Sequence, residues 1–243
     1  MTISAAASGL VVGYGDTPVL GPVDFELRPG VTALMGRNGS GKTTLMRTLC
    51  GIIPSLDGRC SVLGSSVEDG ASVRSKVGYL GHESALATAL TVEQNLAFWQ
   101  DITRTYPDAT VVAKDTLIER FDLSALLLKK VKKLSRGQRQ RVDLARLAMT
   151  DPKFVVLDEP LSGLDPVYAA QTRELLRTWG ETRTVLYSTH SVPEALELAR
   201  NYLTISGRGR GLVELGTDDI VVTETAILSV LEAPNGDDIV EAK

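Results

Sequence analysis

The chain has 243 residues, 43% of them hydrophobic, and a formal net charge of -4. That length suits one large domain, or a domain carrying a subdomain, and it buries a core without staples. The acidic balance argues against a general nucleic-acid binder; Cys50 and Cys60, with no clustered histidines, argue against a zinc site and read as thiols of a reducing compartment.

The opening stretch "MTISAAASGLVVGYG" has no basic region ahead of a long apolar segment. No apolar run approaches the roughly 18 residues of a membrane span. The expectation is a cytosolic protein that reaches a membrane only through a partner. Next, "GLVVGYGDTPVLGPVDFELRPG" alternates apolar and polar residues between turn residues, which predicts an antiparallel layer. Four short apolar runs follow: "VTALMG" (31–36), "KVGYL" (76–80), "KFVVLD" (153–158) and "TVLYS" (184–188). Continuous apolar runs of this length fit strands covered on both faces. Helical patterns, "KTTLMRTLCG", "QRVDLARLAM" and "YAAQTRELLRTWG", alternate with them. The fold class is therefore α/β with a mostly parallel sheet.

Residues 84–150 break the alternation. "TVEQNLAFWQDITRTY", "ATVVAKDTLIERFDL" and "GQRQRVDLARLAM" are three helical segments without a strand, which predicts a helical insertion between core strands. The stretch "SGRGRG" (206–211) reads as a strand-to-strand turn using glycine's access to positive φ. The polar end "NGDDIVEAK" is expected to fray.

The chemistry begins at "GRNGSGKTT", Gly36 to Thr44, which matches G-x-x-x-x-G-K-[ST]. It follows an apolar strand and opens a helix near Lys42, the context the motif requires. Gly36, Gly39 and Gly41 let the backbone turn its N–H groups inward, with Arg37, Asn38 and Ser40 between them. Those donors and the positive helix end hold phosphate oxygens. Lys42 reaches the β- and γ-phosphates, and Thr43 places a hydroxyl on Mg²⁺, with Thr44 following in the helix. The second part is "FVVLDEP". An Asp-Glu pair alone is ordinarily a solvated strand end. Beside a phosphate loop, Asp158 reads as a Mg²⁺ ligand acting through water, and Glu159 as the group that polarises the attacking water.

"GRNGSGKTT", "LSRGQRQRV", "VVLDEP", "LSGLD" and "STH" stand in this order along the chain. The set resembles the ATP-binding subunit of an ABC transporter, from Tyr14 to about Gly216. The resemblance implies a P-loop NTPase core over 1–216, with an N-terminal antiparallel β layer and the 84–150 helical insertion, then a short tail over 217–243. It implies ATP and Mg²⁺ as cofactors and ATP hydrolysis as the activity. It implies two partners: a second ATP-binding subunit, identical or related, and separate transmembrane permease subunits. The chain would then sit on the cytoplasmic face of the membrane.

The same resemblance assigns individual residues. Ser135, Gly137 and Gln138 form the signature turn that faces the nucleotide held by the second subunit. Tyr14 stacks on adenine, offering a flat apolar face. Asp165 lies in the loop joining the two subunits' sites, and His190 touches the γ-phosphate. Two positions depart from the family pattern. His82 stands where the family has glutamine, and an imidazole offers one donor or acceptor per ring nitrogen rather than both functions at one end. Arg136 stands where the signature has glycine. The seven cations from Lys129 to Arg141 thus flank a signature turn; without interleaved aromatics they do not suit nucleic acid, and the four lysines read as a solvated face. The permease is expected to dock near His82 and the insertion. "LDEPLSGLDP" with a short tail points to an export-type system. Two rival readings fit the motifs less well: a soluble ATP-driven switch usually carries a coiled coil or tandem ATPase units, and a small-molecule kinase needs neither "LSRGQ" nor the histidine.

Overall fold

The computed structural model describes residues 3–105, 110–206, 211–216 and 222–233. Strands β1 (Ala5–Tyr14), β2 (Thr17–Leu27), β4 (Asp57–Val62) and β5 (Ser65–Ser66) form an antiparallel sheet in the order β2-β1-β4-β5. Strands β3 (Gly30–Met35), β6 (Val77–Leu80), β7 (Phe154–Leu157), β8 (Thr184–Thr189), β9 (Asn201–Ile205) and β10 (Leu212–Leu215) form the second sheet. Its order is β10-β9-β3-β8-β7-β6, parallel throughout except for the edge strand β10. Both expected layers are present. The antiparallel one also recruits 57–66, a polar stretch with no clear strand pattern of its own.

The helices are α1 (Lys42–Leu49), α2 (Gly70–Arg74), α3 (Val92–Arg104), α4 (Lys114–Arg120), α5 (Arg136–Ala148), α6 (Pro166–Gly180), α7 (Val192–Leu198) and α8 (Glu224–Glu232). The insertion between β6 and β7 holds α3, α4 and α5. Their ends follow from local chemistry: Thr91 with Gln94, and Ser135 with Gln138, form reciprocal capping boxes. α4 is shorter than its helical pattern. The β-branched run Thr110–Val111–Val112 lies outside the helix, and the Val112 N–H donates to the Met149 carbonyl at 2.8 Å. Asp165 and Pro166 start α6 two residues before its apolar pattern begins, as N-cap and first-turn proline.

The parallel sheet divides the core by strict alternation. Leu34, Phe154, Val156, Leu186 and Leu203 face α1 and the antiparallel sheet. Ala33, Met35, Val155, Leu157, Val185 and Tyr187 face the insertion and α6, α7 and α8. The segment after Gly216 contributes to this second layer, because Ile227 and Val230 of α8 are buried against it. The "SGRGRG" turn and "NGDDIVEAK" lie largely or wholly outside the described residues.

Candidate nucleotide site

Strand β3 ends at Met35 and the chain runs through 36–41 into α1. Gly41 caps that helix at φ 102°, a conformation L side chains rarely adopt. A Cβ there would lie 3.0 Å from the Leu20 Cβ. The loop therefore packs closely on β2 while presenting its backbone amides. Lys42 is buried, and its ammonium donates to the carbonyls of Gly36 at 2.7 Å and Arg37 at 3.1 Å. Burial pushes its pKa down, and the nearby Glu159 and Asp158 carboxylates partly oppose that. Among the described residues the buried Ser40 hydroxyl has no hydrogen-bond partner.

Strand β7 delivers the acidic groups, Asp158 and Glu159, and β8 delivers Ser188 beside them. The Thr43 hydroxyl donates to Asp158 Oδ2 at 2.7 Å. The Ser188 hydroxyl donates to Asp158 Oδ1 at 2.6 Å and accepts from the Glu159 N–H at 2.8 Å. Asp158 thus has both oxygens engaged, and Ser188 ties Glu159 to it. Glu159 holds φ 50°, left-handed for a non-glycine residue, a conformation worth about 1–3 kcal/mol of strain of the kind found at functional sites. His190 follows β8, with its Nδ1 3.7 Å from Glu159 Oε1.

Tyr14, the glycine-rich loop, Lys42, Thr43, Thr44, His82, Asp158 and Glu159 line one open cleft of 470 Å³. Tyr14 is half exposed at its rim, where the Arg47 guanidinium reaches its hydroxyl at 3.4 Å. A second cavity of 330 Å³ adjoins it. His82, Asp158 and Glu159 belong to both, while Arg136, Arg139 and Gln140 line only the second. Ser135, Gly137 and Gln138 lie outside both cavities. In this chain the Ser135 hydroxyl accepts from the Gln138 N–H, and Gln138 Oε1 accepts from the Ser135 N–H, each at 3.2 Å. Asp165 accepts from the Tyr168 N–H at 3.1 Å and caps α6. Of the signature turn, Arg136 alone lines a cavity that also holds Asp158 and Glu159, and Ser135, Gly137 and Gln138 line neither cavity.

Ser188 and Arg47 join the site without a motif that marks them in the sequence. A fully buried serine near the end of an apolar strand, directly before the Thr-His pair, is the available signal for Ser188. Arg47 carries no such signal, since an arginine on an amphipathic helix is ordinary. Among the described residues no group of three or more His, Cys, Asp and Glu side chains converges as a metal cage. The Thr43 hydroxyl and the Asp158 carboxylate are the cation donors that the motif reading names, and the Glu159 carboxylate lines the same cleft.

Residues 20–162 match the ABC transporter family. The chain is 36% identical over 215 residues to the daunorubicin resistance ATP-binding protein DrrA3 of Streptomyces coeruleorubidus, covering 87% of this chain and 67% of that protein. It is 34% identical to the cytochrome c biogenesis ATP-binding export protein CcmA of Agrobacterium fabrum, covering 80% and 92% respectively. It is 36% identical to the sulfate/thiosulfate import ATP-binding protein CysA of Mycobacterium tuberculosis, where it spans 60% of that protein's length. A solved ATP-binding subunit of an ABC transporter superposes with a TM-score of 0.78 at 23% identity, covering 98% of both chains. CbiO1 of Clostridium perfringens, part of the cbiONQ ABC transporter complex, superposes at 0.74 with 25% identity, covering 89% of both chains.

Proposed function

The chain belongs to the ABC transporter family, and we propose from that premise that it is the ATP-hydrolysing subunit of a membrane transport system. The observation that carries the reading is a division of labour. One cleft gathers the phosphate loop, Thr43, Asp158 and Glu159. Ser135, Gly137 and Gln138 of the signature turn, at a helix N-terminus suited to an anion, do not line that cleft. Each half needs a complement, and a second copy turned by a two-fold axis supplies it.

ATP fits the cleft by its chemistry. The unpartnered Ser40 hydroxyl, the loop amides and Lys42 offer donors to phosphate oxygens. Lys42 would exchange the Gly36 and Arg37 carbonyls for them. Mg²⁺ prefers few protein oxygens and keeps phosphate and water as its other ligands. Thr43 can donate its proton to Asp158 and still turn a lone pair to the metal, so Asp158 would act through the hydroxyl and through water. When bound, the metal would neutralise charge on the phosphates. Glu159, held by Ser188, would orient and deprotonate the attacking water. His190 stands next to that carboxylate to meet the γ-phosphate. Tyr14 at the rim would take the base.

Among the described residues no helix is long and apolar enough to cross a membrane. A separate permease would supply the passage and hold this chain against the cytoplasmic face of the membrane. Phe98 and Leu128 expose large apolar side chains on the insertion, which supports docking on the insertion. Relatives named for import and for export match at similar identity. The export reading therefore rests on the sequence reading alone. No nucleic-acid partner is proposed. The test is phosphate release by the purified chain with Mg²⁺ and ATP. Hydrolysis that disappears in Lys42→Ala supports the reading. Phosphate transfer to an acceptor other than water would support a kinase instead.

A further inference from the structure

A cavity of 160 Å³ lies where the edge strands β2 and β10 of the two sheets approach each other. It shares no residue with the nucleotide cleft or with the cavity beside that cleft. Thr32 pairs with Asn201, and Leu203, two residues further along β9, pairs with Glu214. Alternation along the strands puts these four side chains on one face of the parallel sheet. Leu27, Arg28 and Pro29, at and after the end of β2, wall the opposite side. Two features of the cavity call for a ligand. Thr32 is 1% exposed, and among the described residues its hydroxyl has no hydrogen-bond partner, a state buried polar groups seldom keep. Glu214 accepts from the Glu26 N–H at 2.5 Å, yet among the described residues it enters no ion pair. Burial pushes its carboxyl above the ordinary range; the Glu26 N–H opposes that shift and the Glu26 carboxylate adds to it. Arg28 is already paired with Glu26 at 3.2 Å, and both are exposed. Two carboxylates against one guanidinium leave one negative charge without a counter-ion.

We propose that this cavity is a second ligand site, which takes a small primary ammonium ion carrying a short apolar chain. An ammonium has three donors, and Glu214, the Thr32 hydroxyl and the Asn201 side-chain carbonyl are acceptors on one face of the sheet. The apolar chain lies against Leu27, Pro29 and Leu203. A cavity of about 150 Å³ holds benzene, so a ligand of about that size fills this one. An anion is repelled by Glu214 and Glu26, and a neutral alcohol leaves the charge unmet. The site stands apart from ATP hydrolysis and does not depend on it.

The test titrates the full chain with n-butylammonium chloride at neutral pH and follows backbone amide shifts by NMR. The expected result is saturable shifts gathered on residues 201–203 and 214–215, with n-butanol producing none there. Glu214→Gln keeps an acceptor for the Glu26 N–H and removes the charge; affinity should fall about 10- to 100-fold. Thr32→Val removes the hydroxyl at nearly the same shape and should weaken binding about 2- to 10-fold. Absence of saturable shifts at these amides by about 50 mM, far above a millimolar dissociation constant, overturns the site. An equal response to n-butanol, or unchanged affinity in either variant, overturns it as well. If Glu214→Gln does not fold, n-butylammonium against n-butanol on the natural chain decides in the same way.

Discussion

Thr43 Oγ1 and Asp158 Oδ2 lie 2.7 Å apart, joining the first turn of α1 to the end of β7 across 115 residues of sequence. The bond places the motif hydroxyl of the phosphate loop and the carboxylate of a different strand at one point. Thr43→Val keeps the shape and removes the hydroxyl. Mg²⁺-dependent nucleotide binding should weaken by about 10- to 100-fold, the usual effect of losing a group that supports a metal. Thr43→Ser should restore most of it. Titration with a fluorescent ATP analogue, with and without Mg²⁺, separates the metal effect from general damage.

Asp143 and Arg146 form a buried pair on α5, 3.4 Å apart, with side chains only 3% and 13% exposed. Arg146 also donates to the Tyr79 carbonyl at 3.2 Å and stacks 4.9 Å from the Trp99 ring centre. Burial raises the Asp143 pKa and lowers that of Arg146, so desolvation outweighs their attraction in both. Such a pair costs more when halved than when replaced whole. Asp143→Ala should lose about 3 kcal/mol, and Asp143→Leu with Arg146→Met should recover most of that. Urea midpoints at constant slope give the comparison.

Lys42 predicts a stability trend with pH in the nucleotide-free chain. Burial lowers its pKa below the ordinary 10.5. On raising the pH the native state gives up this proton before the unfolded chain does. The unfolded state then binds more protons, so the contribution of Lys42 to stability grows as pH rises through the alkaline interval just below 10.5. Lys42→Met should remove that component. Unfolding midpoints of the two proteins, compared across this interval, measure it.

The two sheets and the helical insertion are legible in the sequence because their signals are local. β7 is four apolar residues buried on both faces, and α5 carries its own capping box. Elements that the sequence hides depend on partners distant along the chain. β4 is polar, Asp57–Gly58–Arg59–Cys60, and is a strand because it pairs with β1. α8 lies in what reads as a tail, and its helix is fixed by Ile227 and Val230 packing on α7 and β9. Within the site, Gly36 to Thr44, Asp158 and Glu159 are picked out by motif chemistry, and Asn38 to Thr44 line one cleft with Asp158 and Glu159. Ser188 is hidden because its role is a bridge between two neighbours on another strand.

The central claim is that ATP joins two copies of this surface and that its cleavage separates them. Glu159→Gln should keep nucleotide binding and lower hydrolysis by about 10²- to 10⁴-fold, the range for losing a general base. Sedimentation of that variant with saturating Mg²⁺ and ATP should show a dimer that returns to monomer when nucleotide is removed. A Glu159→Gln chain that binds ATP and remains a monomer, alone and beside its permease, would contradict it.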